Sequence, residues 1–307
     1  MLLCLPKYKD SIIVRSRDPD VLKLCGTVVD VGAVYDPSKN MFDHHQRTFA
    51  ASNVFPGHNI KLSSAGLVYK HFDDEIIESL VGPLDKSTRH LLVNKVYERV
   101  VKEVDAIDNG VSIADDTKYK INTNLSSRVG RLNPDWNASP EESSDKARNS
   151  KFRLAMRMVF EELCDAVEWY AYSWLPARDI VLKAVRNPVL TNDLKEPVVI
   201  RIDRYCPWKS HLFDIETELK IEGNILYVLY PDSSGNWRIQ CVPPEENSFD
   251  CRKKLPEPWR GVRNDALDKL TDLSGCIFVH AAGFIGGAKT YDTAYAMAKM
   301  SISHQNK

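Results

Sequence analysis

Two short stretches of the chain carry residue types that suit a divalent metal ion. Asp30 lies within the apolar run 28–31, and a carboxylate at the end of a buried strand is well placed to bind a ligand. The triplet Asp43-His44-His45 follows shortly afterwards in polar surroundings. Carboxylate and imidazole ligands together favour Mn, Zn or Fe over Ca, which prefers oxygen ligands alone.

Two further aspartates, Asp105 and Asp108, lie near the end of a predicted helix that finishes in Asp108-Asn109-Gly110. Ligands of open α/β sheets gather at the carboxyl ends of strands, and the turn after this helix is expected near the edge that carries Asp30. Taken singly, such an aspartate is usually a turn or capping residue, and adjacent histidines are often surface residues. The combination is what indicates a metal site.

The chemistry that these residues suit is metal-assisted hydrolysis. A carboxylate can bridge two metal ions at the separation of ~3.5–4 Å used by two-metal phosphoesterases. One imidazole then coordinates a metal, and the second donates to a phosphate oxygen. Asp43 is expected to orient a coordinating imidazole, and the activated water attacks phosphorus.

The elements that position these residues alternate between strands and helices. Strands are predicted over 11–15 and 26–31, and helices over 65–81, capped by Ser63-Ser64, and over 88–104. A long helix is predicted over 151–172, with a kink or end at Pro176. The alternation predicts an α/β fold, with a mainly parallel N-terminal sheet and flanking helices.

The stretch from Asn187 to Pro197 is the predicted domain boundary, which divides the chain into domains 1–187 and 188–307. The second domain is expected to be smaller and mixed α/β, with a cleft between the two domains. Its predicted elements are strands over 198–202, 225–230, 237–242 and 276–280, a hairpin at 232–235, helices over 262–273 and 290–300, and a glycine-rich turn over 283–287.

The composition is that of a globular protein, with 307 residues, 43% hydrophobic and 27% charged. A formal net charge of −1 excludes binding of polyanions through bulk charge, so any contact with nucleic acid needs a local patch. Seven cysteines without a CxxC spacing favour an intracellular, reducing compartment over a disulfide framework. No apolar run approaches the ~18 residues of a membrane span, so no membrane partner is expected.

The order of these motifs, with Val-Asp-Ala-Ile-Asp-Asn-Gly after the Asp-His-His triplet, resembles the DHH phosphoesterase superfamily. The whole chain is similar to the melanocyte-proliferating-gene protein family of metal-dependent exoribonucleases. That similarity rests on several further segments, which are Leu62-Ser63-Ser64-Ala65-Gly66-Leu67, Arg131-Leu132-Asn133-Pro134, Ser173-Trp174-Leu175-Pro176-Ala177-Arg178, Trp237-Arg238-Ile239-Gln240-Cys241-Val242-Pro243, Pro256-Glu257-Pro258-Trp259-Arg260-Gly261, Phe278-Val279-His280 and Gly283-Phe284-Ile285-Gly286-Gly287.

The resemblance assigns roles to single residues. Asp30 matches the metal-bridging aspartate, His44 the coordinating imidazole, and His45 the imidazole that faces phosphate. Asp108 is favoured as a further ligand because Asp-Asn-Gly resembles the ending of a superfamily motif, and Asp105 stays open as the alternative. The implied cofactor is a divalent metal, Mn²⁺ with Mg²⁺ as the alternative.

The family also implies an N-terminal His-Asn-Gly-x-Phe-His-Cys-Asp-Glu motif that completes the first metal position, and the sequence contains no such segment. We therefore expect a truncated isoform, a fragment or an incomplete gene model. Such a chain would hold one metal through Asp30, His44 and an aspartate at 105 or 108, and its activity would be impaired.

The second domain is expected to bind the substrate through a glycine-rich motif, and an ordinary strand–helix turn is the alternative. Arg128 and Arg131 are candidates for contact with an RNA backbone, with a solvated helix face as the alternative. The predicted substrate-binding residues are Arg238, His280, Gly283, Gly286, Gly287 and Lys289.

The function implied is metal-dependent hydrolysis of phosphodiesters, specifically 3′-to-5′ exonucleolytic cleavage of RNA. One alternative is a hydrolase of small phosphoesters or pyrophosphate, and the other is an impaired RNA-binding or regulatory isoform. The resemblance implies nucleus and mitochondrion as locations, and the oligomeric state is left open.

Overall fold

The chain forms two compact units in a computed structural model that describes residues 1–47, 49–190 and 198–304. The units are Met1–Ala171 and Tyr172–Lys307. Both combine helices with a sheet, so the chain is mixed α/β, as predicted. Most of the predicted linker, residues 191–197, lies outside the described residues, and the division after residue 187 stays a prediction. No described helix has the length and apolar character that crossing a membrane requires.

The sheet of the N-terminal unit has three strands, which are β1 (Val28–Val29), β2 (Tyr35–Asp36) and β3 (Met41–Phe42). Strand β3 lies in the middle, parallel to β1 and antiparallel to β2. The sheet is therefore mixed, and the expectation of a mainly parallel sheet is wrong for these strands. The reason is local: a short 3₁₀ turn, Pro37–Lys39, joins β2 to β3, and a connection this short permits only antiparallel pairing.

The strand predicted over 11–15 is absent. Residues 11–18 form neither strand nor helix, and the side chain of Ile12 is 90% exposed. The run is β-branched, but a strand also needs a hydrogen-bonding partner and a face to bury.

Helices form the rest of the N-terminal unit. Helix α2 begins where the sequence predicts, because the Ser63 hydroxyl accepts hydrogen bonds from the N–H groups of Ala65 and Gly66. The helix predicted over 88–104 is α3 and α4 joined by a π-helical turn, Tyr97–Val101. Apolar faces of α2, α3 and α6 meet in one core. The helices are α1 (Pro19–Leu22), α2 (Ser64–Val81), α3 (Lys86–Val96), α4 (Lys102–Asp108), α5 (Leu125–Gly130) and α6 (Asp145–Trp169).

A second π-helical turn, Tyr170–Trp174, follows α6, and Pro176 lies at the start of the next helix. The chain stays helical through Pro176, so the helix does not end there, and the irregular turn lies immediately before this proline, which cannot donate the backbone hydrogen bond that continues a helix.

The C-terminal unit is a five-stranded sheet with helices packed on both faces. Its strand order is β4-β5-β6-β8-β7, with β4 parallel to β5 and the other pairs antiparallel. Successive side chains of a strand face opposite sides, so Val199 and Ile200 enter different clusters. The elements are α7 (Leu175–Arg186), β4 (Val198–Arg201), α8 (Lys209–Leu219), β5 (Ile225–Pro231), β6 (Trp237–Cys241), α9 (Asn264–Thr271), β7 (Cys276–Val279), β8 (Ile285–Ala288) and α10 (Tyr291–Ser303).

Candidate metal centre

The parallel pairing of β1 with β3 brings the two predicted metal-binding stretches to one edge. Asp30 directly follows β1 and donates its N–H to the carbonyl of Phe42, the last residue of β3. Asp43 and His44 follow Phe42. Because parallel strands end at the same edge of a sheet, the carboxylate and the imidazoles leave the sheet side by side.

A cluster of side chains forms at this edge. Ligand atoms of Asp30, Asp43, His44 and His45 all lie within 4.8 Å of one another. His44 Nδ1 is 4.0 Å from Asp30 Oδ1, and His44 Nε2 is 3.2 Å from Asp108 Oδ2. His44 is buried, whereas Asp30 and Asp108 are 61% and 47% exposed. The carboxylates therefore face solvent above a buried imidazole.

Asp43 is buried, and both of its oxygens are occupied by protein donors. Oδ2 accepts a hydrogen bond from the N–H of Ala33 at 2.7 Å. Oδ1 accepts hydrogen bonds from the ring Nδ1–H of His45 at 2.6 Å and from the backbone N–H of His45 at 3.0 Å. Burial alone would raise the pKa of Asp43, but these hydrogen bonds outweigh it and lower the pKa. The same hydrogen bond, with the nearby charges of Asp30 and Asp108, raises the pKa of His45. Asp43 thus fixes the His45 ring and favours its charged form.

Ser64, the first residue of α2, fixes the ring of His44. Its backbone N–H donates to His44 Nδ1 at 3.1 Å, and its hydroxyl lies 3.0 Å from the same nitrogen. Both contacts of Ser64 are to Nδ1, so Nε2, which faces Asp108, is the ring nitrogen left for a metal ion. From the sequence we predicted Ser64 only as part of a helix cap, so its contact with the imidazole was missed.

The structure separates the two aspartates that the sequence left open. Asp105 is fully buried, and its carboxylate accepts the N–H and hydroxyl of Ser63 at 2.9 and 2.7 Å and the hydroxyl of Tyr97 at 3.0 Å. Burial raises its pKa, and these hydrogen bonds only partly offset the rise. A Cβ on Gly66 would overlap the same carboxylate, so only glycine leaves room for it. Asp108 contacts His44, although neither aspartate is among the four residues whose ligand atoms all lie within 4.8 Å of one another.

An apolar cavity adjoins Asp108. It has a volume of about 280 Å³ and lies among α4, α5 and α6, with Ile107, Val129 and Leu163 among its lining residues. Asp108 therefore borders both His44 and this mostly apolar space.

The predicted substrate residues of the C-terminal unit are placed differently from the expectation. The prediction of a glycine-rich turn before a helix is wrong for Gly286 and Gly287, because both residues lie in β8, between β6 and β7. A Cβ on Gly287 would overlap Nη1 of Arg238 and lie 2.7 Å from the Phe278 ring, so glycine here lets two neighbouring side chains cover the strand. Gly283 does lie in a turn, with φ +75°.

Two of the polar side chains predicted to bind substrate, Arg238 and His280, already make hydrogen bonds within the protein. Arg238 donates from Nη2 to Asp232 at 2.5 Å, while its Nη1 is buried without a hydrogen-bond partner among the described residues. His280 Nδ1 accepts the N–H of Ala282 at 3.0 Å, and the Lys289 side chain is exposed. Arg238 and Gly287 are paired across β6 and β8.

Comparisons with known proteins agree with one another along nearly the whole chain. Residues 1–302 match the family model MYG1_exonuc, described as "Uncharacterised protein family (UPF0160)". The MYG1 exonuclease of Homo sapiens is 44% identical over 313 residues, 100% of this chain and 82% of the relative. The MYG1 exonuclease of Rattus norvegicus is 44% identical over 312 residues, 99% of this chain and 80% of the relative.

A more distant relative shows the same coverage. The MYG1 protein of Dictyostelium discoideum is 42% identical over 310 residues, 100% of this chain and 92% of the relative. No solved structure matches the chain. The family match and the relatives together show that this chain belongs to the MYG1 family.

Proposed function

We propose that this protein is a metal-dependent phosphodiester hydrolase that removes nucleotides from RNA in the 3′-to-5′ direction. The observation that carries the proposal is the convergence of Asp30, His44 and Asp108 at the carboxyl edge of β1 and β3. Relatives named MYG1 exonuclease support the reaction class. The Asp-His-His order supports a place in the DHH phosphoesterase superfamily, and the polarity and the RNA substrate come from that resemblance.

The donors at this edge fit a divalent cation. They are carboxylate oxygens and imidazole nitrogens, a mixture that suits Mn²⁺, with Mg²⁺ as the alternative, and poorly suits Ca²⁺. In this proposal Asp30, His44 and Asp108 hold the ion. Asp105 is excluded as a ligand because protein donors already occupy its oxygens. A bound cation supplies Lewis-acid stabilisation of the charge on a phosphoryl group.

His45 supplies the complementary charge. The hydrogen bond from its Nδ1–H to Asp43 holds the ring in place and raises its pKa, so the imidazole keeps a proton to present at Nε2. A phosphate oxygen would accept that proton in a charge-assisted hydrogen bond. Asp43 is therefore a positioning residue in this proposal, and His45 is a catalytic residue that touches substrate.

The C-terminal unit by itself carries polar groups that suit a phosphate. Arg238 retains an unused donor at Nη1, and Lys289 and His280 offer further polar groups. Gly283 gives the turn before β8 its left-handed conformation. The strand pairing of Gly286 and Gly287 supports a close-packing role for these glycines more than contact of their N–H groups with phosphate.

The test is hydrolysis of a short 5′-labelled RNA by the protein loaded with Mn²⁺. We expect a ladder of products shortened from the 3′ end, and a loss of at least about 100-fold in rate for Asp108→Asn, since ligands matter at least as much as the groups that orient them. Asp116→Asn, at an exposed aspartate outside the cluster, is the matched control. Absence of hydrolysis, or equal rates for the two variants, would overturn the proposal. Faster turnover of pyrophosphate than of RNA would favour the small-phosphoester alternative.

A further inference from the structure

The first half of α6 carries a strong local positive charge. Residues 145–157 contain five cationic side chains and one carboxylate, that of Asp145, although the whole chain has a formal net charge of −1. The cationic residues are Lys146, Arg148, Lys151, Arg153 and Arg157. This is the kind of local patch that a nearly neutral protein needs to bind a polyanion.

Two of these cations, Arg148 and Lys151, line a surface pocket together with Arg15. The pocket has a volume of about 350 Å³, and no carboxylate belongs to its lining residues. Lys151 and Phe152 lie three and four residues after Arg148, which places each of them on the same side of the helix as Arg148. The pocket thus presents three positive groups to one space.

Arg15 is held against this face by two contacts. Its Nη1 donates to Asn149 Oδ1 at 3.2 Å, and its guanidinium carbon lies 4.9 Å from the centre of the Phe152 ring. Neither contact neutralises its charge. The exposed segment 11–18, which forms no strand, therefore contributes a cation to the pocket.

The three pocket cations make no close ion pair in the described part of the chain, and the carboxylate that their charge affects is that of Glu142, whose pKa is lowered mainly by hydrogen bonds from Ser139 and to a lesser extent by the charge of Lys151. Among the described residues, none of Arg15, Arg148 and Lys151 has an ion pair within 4.0 Å, whereas the nearby Arg128 is paired with Glu162 at 2.5 Å. Arg128 was a sequence-based candidate for RNA contact, and its ion pair argues against that role. Unpaired charges held together in one pocket repel each other, so an anionic ligand gives them their natural counter-charge.

The basic pocket lies beside the cavity that adjoins Asp108. Val129 of α5 lines both spaces, and Val159 of α6 lines the cavity. Lys151 and Val159 are eight residues apart in α6, which is about 12 Å along the helix axis.

We propose that Arg15, Arg148 and Lys151 form a phosphate-backbone site for a single-stranded RNA whose end lies at the cation cluster. This inference rests on the proposed function and adds a second contact point for the same substrate. Arginine forks match phosphate oxygens bidentately, and contacts of this kind fix register without reading sequence. The site therefore favours substrates that are long enough to reach from the cation cluster to the pocket.

The test is binding of a fluorescein-labelled 12-nucleotide RNA, followed by fluorescence anisotropy in EDTA over a range of salt concentrations. We expect Arg148→Gln with Lys151→Gln to weaken binding about tenfold and to reduce the salt slope by about 1.4, or 0.7 for each lost phosphate contact. The matched control is Arg153→Gln with Arg157→Gln, on the same helix, with the same change in charge and outside the pocket. It should retain the wild-type affinity and slope.

Equal losses of RNA affinity in the two double variants, or no loss in either, would overturn the inference. It would also be overturned if the same concentration of inorganic phosphate displaced the RNA from wild type and from the pocket variant. All four side chains are exposed, so matching far-ultraviolet circular dichroism confirms that the variants are folded. Hydrolysis of a dinucleotide by the Mn²⁺-loaded wild type, measured in parallel, tests the proposed function without a strand that reaches the pocket. Failure of that reaction and failure of the binding result are therefore distinguishable.

Discussion

Replacing Asp105 by alanine separates a structural aspartate from a metal-binding one. The carboxylate is fully buried and accepts hydrogen bonds from Ser63 and Tyr97, which are themselves buried. Alanine leaves two hydroxyl groups and one backbone N–H without their acceptor. Because Ser63 also caps α2, the change acts on the start of a core helix.

The expected cost can be estimated from these three donors. Each buried group left without a partner costs about 1–3 kcal/mol. Part of this is recovered, because burial already disfavours the charged form of Asp105, as its raised pKa shows. We therefore expect Asp105→Ala to lower the free energy of unfolding by about 3 kcal/mol, within the range seen on removing one partner of a buried charged network.

The assay is urea unfolding of the purified protein, followed by circular dichroism. With a slope of about 3 kcal/mol per molar urea, the midpoint should fall by about 1 M. Asp108→Ala is the control, since its half-exposed side chain should cost less than about 0.5 kcal/mol. If both variants lose stability equally, or if Asp105→Ala keeps the wild-type midpoint, the structural role of Asp105 is refuted.

Three further variants test packing, a shifted pKa and a buried ion pair. Gly287→Ala should destabilise the C-terminal unit by about 1–3 kcal/mol in the same unfolding assay, because its Cβ would overlap Arg238. Burial raises the pKa of Asp73 to about 6, so its protonated form is favoured by folding and its contribution to stability is lost as the pH rises through 6. Above pH 6, Asp73→Asn should therefore be more stable than wild type by about 1–2 kcal/mol after solvent screening, and at pH 4 it should show no gain. An equal gain at the two pH values would contradict this. Glu216→Ala should lower the free energy of unfolding by about 3–5 kcal/mol, because the buried guanidinium of Arg252 loses the carboxylate that it contacts at 2.6 and 2.7 Å. A decrease of less than about 1 kcal/mol would show that this ion pair is dispensable.

The sequence predicts an element well where local chemistry determines it. Helix α2 is an example, since its serine cap and the following Gly82-Pro83 set both ends. The strand predicted over 11–15 fails because a partner strand cannot be read from residue type. Gly286 and Gly287 were mistaken for turn residues because the sequence does not show that neighbouring side chains pack over their backbone.

The residues of the candidate metal centre were also predictable only where the local sequence determines their place. Asp30 and His44 were predicted from the motif, and the parallel pairing of β1 and β3 brings them together. Asp105 and Asp108 lie one turn apart on α4, so their spacing alone cannot say which one is buried. Packing of Tyr97 and Ser63 around Asp105 makes that choice, and such packing depends on residues distant in the chain.

The most direct test of a cation site at Asp30, His44 and Asp108 is a titration of the purified protein with Mn²⁺, in which electron paramagnetic resonance measures the free ion. We expect wild type to bind Mn²⁺ and Asp108→Asn to lose that binding. Asp105→Asn, measured at a temperature where it is folded, should retain it. Wild-type binding by Asp108→Asn and His44→Ala, or no binding by wild type, would contradict a metal centre at this edge of the sheet.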